Sequence, residues 1–152
     1  MDSSSALIKQ MPASIEAEQA LLGSIIIKPE AFDSIGGMLT AEDFYLEDHK
    51  SIFNAIVKMY TESKVIDPVT LVNALVEQNG KDKESGIQYI SLIAESVPSV
   101  SNVVDYAKIV KDKSVLRKLI GACDEITTVA YRYSANIFKY PIKYASISVM
   151  IK

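Results

Sequence analysis

The sequence holds one cysteine, one histidine and no tryptophan in 152 residues. A lone thiol, Cys123, excludes an internal disulfide and a thiolate zinc cluster. It suits a reducing, cytoplasmic setting. No run of 18 apolar residues exists, so no membrane-spanning helix is expected. The start, "MDSSSALIKQ", lacks the basic and apolar stretches of a secretory signal. GxSxG, HExxH and CxxC are all missing. The one Gly-Lys pair, Gly80-Lys81, is followed by Asp82, and Leu75 stands where a phosphate-binding loop needs glycine. Catalysis has no positive support in the sequence, and no metal or cofactor is expected for this chain.

A clustered positive charge is also lacking from most of the chain. Net charge is −3 overall. Residues 132–152 contain Arg132, Lys139, Lys143 and Lys152 and no acid, which leaves 12 basic against 19 acidic residues before them, a net −7. Strong nucleic-acid binding through phosphates needs clustered Lys and Arg, so it is not expected of residues 1–131.

What is present is apolar content, 49% of residues, arranged at helical spacing. After a serine-rich leader over 1–11, Ser14 is placed to cap a helix carrying Ile15, Leu22, Ile25 and Ile26, with Glu16 and Glu18 in its first turn. Gly23 inside that helix costs about 1 kcal/mol against alanine, which points to a close neighbour. Pro29 opens a second helix bearing Phe32, Ile35 and Leu39, and Gly36-Gly37 ends it. Thr40 with Asp43 resembles a capping box. A helix follows from Glu47 to Thr61, then one from Pro68, capped by Asp67, to a stop at Gly80. "KDKES" is expected to be a charged loop before a helix over 86–96. No strand is expected before residue 132.

The segment "SNVVDYAKIVKDKSVLRKLIGACDEITTVAY" is the longest periodic run. Its first half aligns Val103, Ala107 and Val110. Its second half aligns Leu116, Leu119, Cys123, Ile126 and Ala130 at steps of three and four, the pattern of a coiled-coil seam. The two stripes lie on nearly opposite faces and meet at Lys111–Lys113. The expected organisation is a leader over 1–11, a helical head over 12–110, a projecting arm over 111–131 and an atypical tail over 132–152. The alternative is burial of both stripes in one bundle. The fold class is all-α.

"EDFYLEDHKSIF", residues 42–53, gathers Glu42, Asp43, Glu47 and Asp48 around His49. Carboxylates beside an imidazole can hold a metal or move protons, but a site needs three or four converging ligands. Glu47, Asp48 and His49 follow one another on a helix and point in different directions. Helix capping and dipole effects account for the acids, and His49 is expected to be a partly buried packing and hydrogen-bonding residue. A small enzyme using Asp48 and His49 is the competing reading. Leu22, Ile26, Phe44, His49, Phe53 and Ile56 form the expected core. Leu116, Leu119, Ile120, Cys123 and Ile126 form the expected interface, with Cys123 acting as a small hydrophobe rather than a nucleophile. The tail "RYSANIFKYPIKYASISVMIK" breaks helix at Pro141 and alternates like a strand in "YASISVMI". It reads as an extension, in preference to a single-strand-binding segment.

Four stretches together resemble the N-terminal domain of bacterial DnaB-type replicative DNA helicases: "MPASIEAEQALLGSIII", "AEDFYLEDHKSIFNAIVKMY", "IDPVTLVNALVEQNG" and "GIQYISLIAESVPSVSNVVDYAKIVKDKSVLRKLI". Their order and spacing hold over about residues 12–130. The resemblance implies a helical head followed by a helical hairpin, self-association into a collar, and communication with primase and, in some systems, helicase loaders. It implies that ATP and Mg are handled by a separate motor domain. The tail departs from the pattern, which expects a linker and a second hairpin helix there. In its place the seam needs another partner, the tail itself or a second copy. The alternative is the helicase-interacting domain of primase, or a phage helicase or loader protein of similar fold.

Overall fold

Five α-helices and three short 3-10 turns make up the computed structural model, which describes residues 10–79 and 82–134. The helices are α1 (Ile15–Ile27), α2 (Glu47–Thr61), α3 (Pro68–Asn79), α4 (Lys83–Glu95) and α5 (Val103–Ser134). No strand occurs among the described residues. The leader up to residue 9, the Gly80 stop signal and the tail beyond Ser134 lie outside them.

Helix α1 starts where Ser14 predicts: its side chain accepts from the N–H of Ala17. The sequence suggests one apolar face, but nearly the whole circumference is buried, including Ala17, Ala20, Leu21 and Ser24. A helix with no solvent face is a central one, and α1 packs against α2, α4 and two of the 3-10 turns. Ile15 is only half-buried at the helix start, while Leu22, Ile25 and Ile26 are buried. Gly23 is explained by α4. A Cβ there would lie 2.4 Å from Val97 Cγ2 and 2.5 Å from the Ile93 carbonyl oxygen, so glycine lets the two backbones approach.

The second predicted helix is a 3-10 segment, Pro29–Ile35, with no side-chain cap, ending before Gly36. It is short and bonded i to i+3. It places Phe32 against Tyr60 and Phe53, with ring centroids 4.7 and 6.1 Å away. A second correction concerns α4. Lys83, Glu84 and Ser85 of "KDKES" form its first turn rather than a loop, because Asp82 accepts from the Ser85 N–H at 2.9 Å and caps the helix there. That carboxylate also accepts from the Ser85 hydroxyl. Pro68 opens α3 behind Asp67, whose Oδ1 accepts from the N–H groups of Val69 and Thr70.

The core gathers Leu21, Leu22, Ile25, Ile26, Phe44, Phe53, Ile56, Leu71, Ile90 and Ile93. Fully burying each such side chain contributes roughly 1.5–3 kcal/mol. Val103, Ala107 and Val110 join it from α5. The chain divides into two units between Arg117 and Lys118. Within the first unit, three α5 residues from the "KDK" triplet onward, Lys111, Ser114 and Arg117, bond to groups outside the helix. The polar triplet marks the end of the apolar stripe but not of the packing.

Candidate protein interface

The histidine cluster resolves into two separate polar systems. His49 is fully buried, and both ring nitrogens are engaged. Nδ1 lies 2.6 Å from Glu18 Oε2 and Nε2 lies 2.7 Å from the Tyr89 hydroxyl. With Glu18 as a carboxylate, Nδ1–H donates to it and Nε2 accepts from Tyr89. The other Glu18 oxygen accepts the Tyr45 N–H at 2.6 Å. One buried carboxylate thus ties α1 to the turn before α2, and the imidazole ties α2 to α4. Glu18, 1% exposed, was legible only as a first-turn acid favoured by the helix dipole; nothing in its spacing announces a partner 31 residues away.

Asp43 is the second system, and it too is buried. Its Oδ2 accepts from the Thr40 N–H at 2.9 Å, as the capping-box spacing predicts, and from Lys111 Nζ at 3.0 Å. Its Oδ1 accepts from the Ser114 hydroxyl at 2.6 Å. Arg117 donates to the carbonyls of Asp43 and Pro12, with its guanidinium 5.6 Å above the Tyr45 ring. Three residues of α5 and the "EDFY" stretch are thereby joined.

The remaining acids stand apart. Glu42 and Glu47 both pair with Lys50, and Asp48 is exposed. Asp48 and His49 do not converge, and the imidazole has no solvent face. No group of three His, Cys, Asp or Glu residues able to hold a metal occurs among the described residues. No buried side-chain polar atom lacks a hydrogen-bond partner there either. A shallow groove of about 340 Å³ opens between α2, α3 and α4, floored by Ile52, Val72, Leu75 and Ile90, with Tyr89 at its wall.

The predicted seam residues have the opposite character. Leu116, Leu119, Cys123 and Ile126 are exposed, Leu119 at 59%, and Ile120 is half-buried. Val115, also exposed, widens the stripe, a residue the spacing argument passed over. Of the expected core, Leu22, Ile26, Phe44, His49, Phe53 and Ile56 are all buried. No described helix is long and apolar enough to cross a membrane.

Residues 10–112 match the family model of the DnaB-like helicase N-terminal domain. The chain is similar to the replicative DNA helicase DnaB of Pasteurella multocida, 41% identical over 120 residues, which cover 79% of this chain and 26% of that protein. It is 38% identical over 120 residues to the replicative DNA helicase DnaC of Bacillus subtilis, with the same coverage. The matched segment therefore spans about a quarter of the length of these relatives. The crystal structure of the N-terminal domain of DnaB helicase from Mycobacterium tuberculosis has a TM-score of 0.77 at 28% identity, over 82% of this chain and 89% of that one. The N-terminal domain of DnaB helicase from Helicobacter pylori, solved together with its interactions with primase, shares the fold at 22% identity, with a TM-score of 0.63 over 76% of this chain and 90% of that one. From residue 10 to residue 112, this chain belongs to the DnaB-like helicase N-terminal domain family.

Proposed function

We propose that this chain is a non-catalytic assembly domain of a replicative DNA helicase in the cytoplasm. It brings copies of the helicase together and presents a surface to primase and, in some systems, to a loader. ATP and Mg belong to the motor domain of such a helicase, and this domain binds neither. The observation that carries the reading is the exposed apolar stripe on α5, Leu116 to Ile126, beside a head whose buried polar groups are all satisfied among the described residues. A row of exposed large aliphatics on one helix face marks a surface meant to be covered. The primase part rests on family membership and on the partner named for the Helicobacter pylori relative.

The alternative of a primase-derived domain of similar fold has less support, since the sequence relatives are helicases. Light scattering on the wild type and on Leu119→Asp tests the assembly role. The wild type is expected to exceed the 16.7 kDa monomer and the variant to fall back toward it. Strictly monomeric behaviour of both at high concentration overturns it. Titration of labelled primase into the wild type tests the partner, with no saturable binding as the refuting outcome.

A further inference from the structure

The polar chain around His49 runs from the open surface to the root of α5. At one end the Tyr89 hydroxyl, on α4, stands at the wall of the groove. The imidazole on α2 and the Glu18 carboxylate on α1 follow, both buried. The second carboxylate oxygen holds the Tyr45 N–H. Beyond it, the Arg117 guanidinium covers the Tyr45 ring and donates to the Asp43 carbonyl at 2.6 Å. Arg117 is also the last residue of the first unit.

Each link has a fixed direction. A carboxylate only accepts, so the Tyr45 N–H and the His49 Nδ1–H both point at Glu18. A neutral imidazole carries one ring proton. With that proton on Nδ1, Nε2 only accepts, and the Tyr89 hydroxyl proton is committed to it. Turning the hydroxyl round, so that it accepts, moves the ring proton to Nε2. The Nδ1 lone pair then faces the carboxylate, and the bond between α1 and α2 is lost. Removing the hydroxyl instead leaves Nε2 without its donor, on a ring with no exposed surface. Either change reaches Glu18. Bonds that share one group polarise each other, so the hold of Glu18 on the Tyr45 N–H changes too.

We propose that Tyr89, His49 and Glu18 form a relay that couples the hydroxyl at the groove to the seat of Arg117 on α5. Its two arrangements differ in the imidazole. In one, Nδ1–H holds Glu18, and the Phe44-Tyr45 turn and Arg117 are seated. In the other, the ring has released Glu18, and the turn and Arg117 are loosened. Tyr89 and His49 are positioning residues, acting on Arg117 through Glu18 and Tyr45. The coupling lies within the first unit and is independent of self-association.

Nuclear magnetic resonance on the full chain tests it, reading the His49 ring nitrogens, the Tyr45 amide and the Arg117 guanidinium. The wild type is compared with Y89F, E18Q and V76A. The wild-type ring is expected to carry its proton on Nδ1. In Y89F all three signals should shift, and amide exchange over residues 114–117 should be at least about threefold faster, with α3 unchanged. In E18Q the side-chain oxygen must still accept from Tyr45, so the amide nitrogen faces Nδ1 and the ring proton should move to Nε2. This second variant keeps the test decisive if Y89F does not fold. Val76 lines the same groove from α3 without joining the chain of hydrogen bonds. V76A should lower the unfolding midpoint and leave Tyr45 and Arg117 in place. A wild-type ring protonated on Nε2, or on both nitrogens, overturns the relay. So does an E18Q ring that keeps its proton on Nδ1, or a Y89F protein whose Tyr45 and Arg117 signals stay put. V76A shifting those two signals as far as Y89F does indicates general loosening and overturns it as well.

Discussion

Replacing His49 with leucine removes the side chain that joins Glu18 to Tyr89. Glu18 keeps the Tyr45 N–H on Oε1, but Oε2 is left without a donor in a site closed to water. Leaving a buried, charged acceptor without its donor costs at least about 3 kcal/mol. Tyr89 contributes little more, because it lines the groove and its hydroxyl can meet water there. Leucine returns roughly 1 kcal/mol through its greater apolar burial. The expected net loss is about 2–4 kcal/mol, a large part of the roughly 5–15 kcal/mol that domains of this kind possess. In thermal unfolding that is a fall of at least about 8 °C for a head of this size. Urea denaturation followed by circular dichroism should show a lower midpoint with unchanged slope. The double variant Glu18→Leu/His49→Leu removes the orphaned carboxylate, so it should lose less than the two single losses combined. A His49→Leu protein within about 0.5 kcal/mol of wild type, or strict additivity in the double variant, refutes the reasoning.

Other perturbations probe the remaining contacts. Gly23→Ala gains about 1 kcal/mol of helix propensity but drives a methyl into the Ile93 carbonyl, so a net loss of about 1–2 kcal/mol is expected in urea denaturation. Asp43→Ala removes the acceptor of Lys111 and Ser114; a loss of about 2–3 kcal/mol is expected, with faster amide exchange over residues 103–117 and no change over α3. The carboxyls of Asp67 and Asp82 are held below the ordinary aspartate range by the backbone N–H groups of Thr70 and Ser85. Because the folded-state values are lowered, the stability they contribute is present above the unfolded value and is lost as pH falls through the folded one. The variant Asp67→Asn/Asp82→Asn should therefore lose less stability than wild type between about pH 5 and about pH 3, measured by urea midpoints across that range.

Local grammar made much of the head legible. Ser14 marked the start of α1, Asp67-Pro68 that of α3, and the run from Glu47 to Thr61 emerged with its bounds intact, since caps and helical period are properties of adjacent residues. Asp82 was missed as a cap because the surrounding charges of "KDKES" looked like a solvated loop. The stripe on α5 was visible in its spacing, and Val115 escaped because it lies one position outside the strict seam. Gly23 was recognised as a gap needing a neighbour, but not which one; Ile93 and Val97 are seventy or more positions away.

Reading the residues in order was enough to give an all-helical fold for the described residues, a second α5 stripe facing away from the first, and four matching stretches of one helicase domain family. Those are matters of period, capping and order along the chain. Which acid serves which base was settled by long-range packing. Glu18, not the carboxylates beside it in "EDFYLEDHKSIF", holds His49, and Asp43 turns away to hold Ser114 and Lys111. Consecutive residues on a helix diverge by about 100°. Neighbours in sequence are thereby kept apart, and a buried polar group must find its partner wherever packing delivers one.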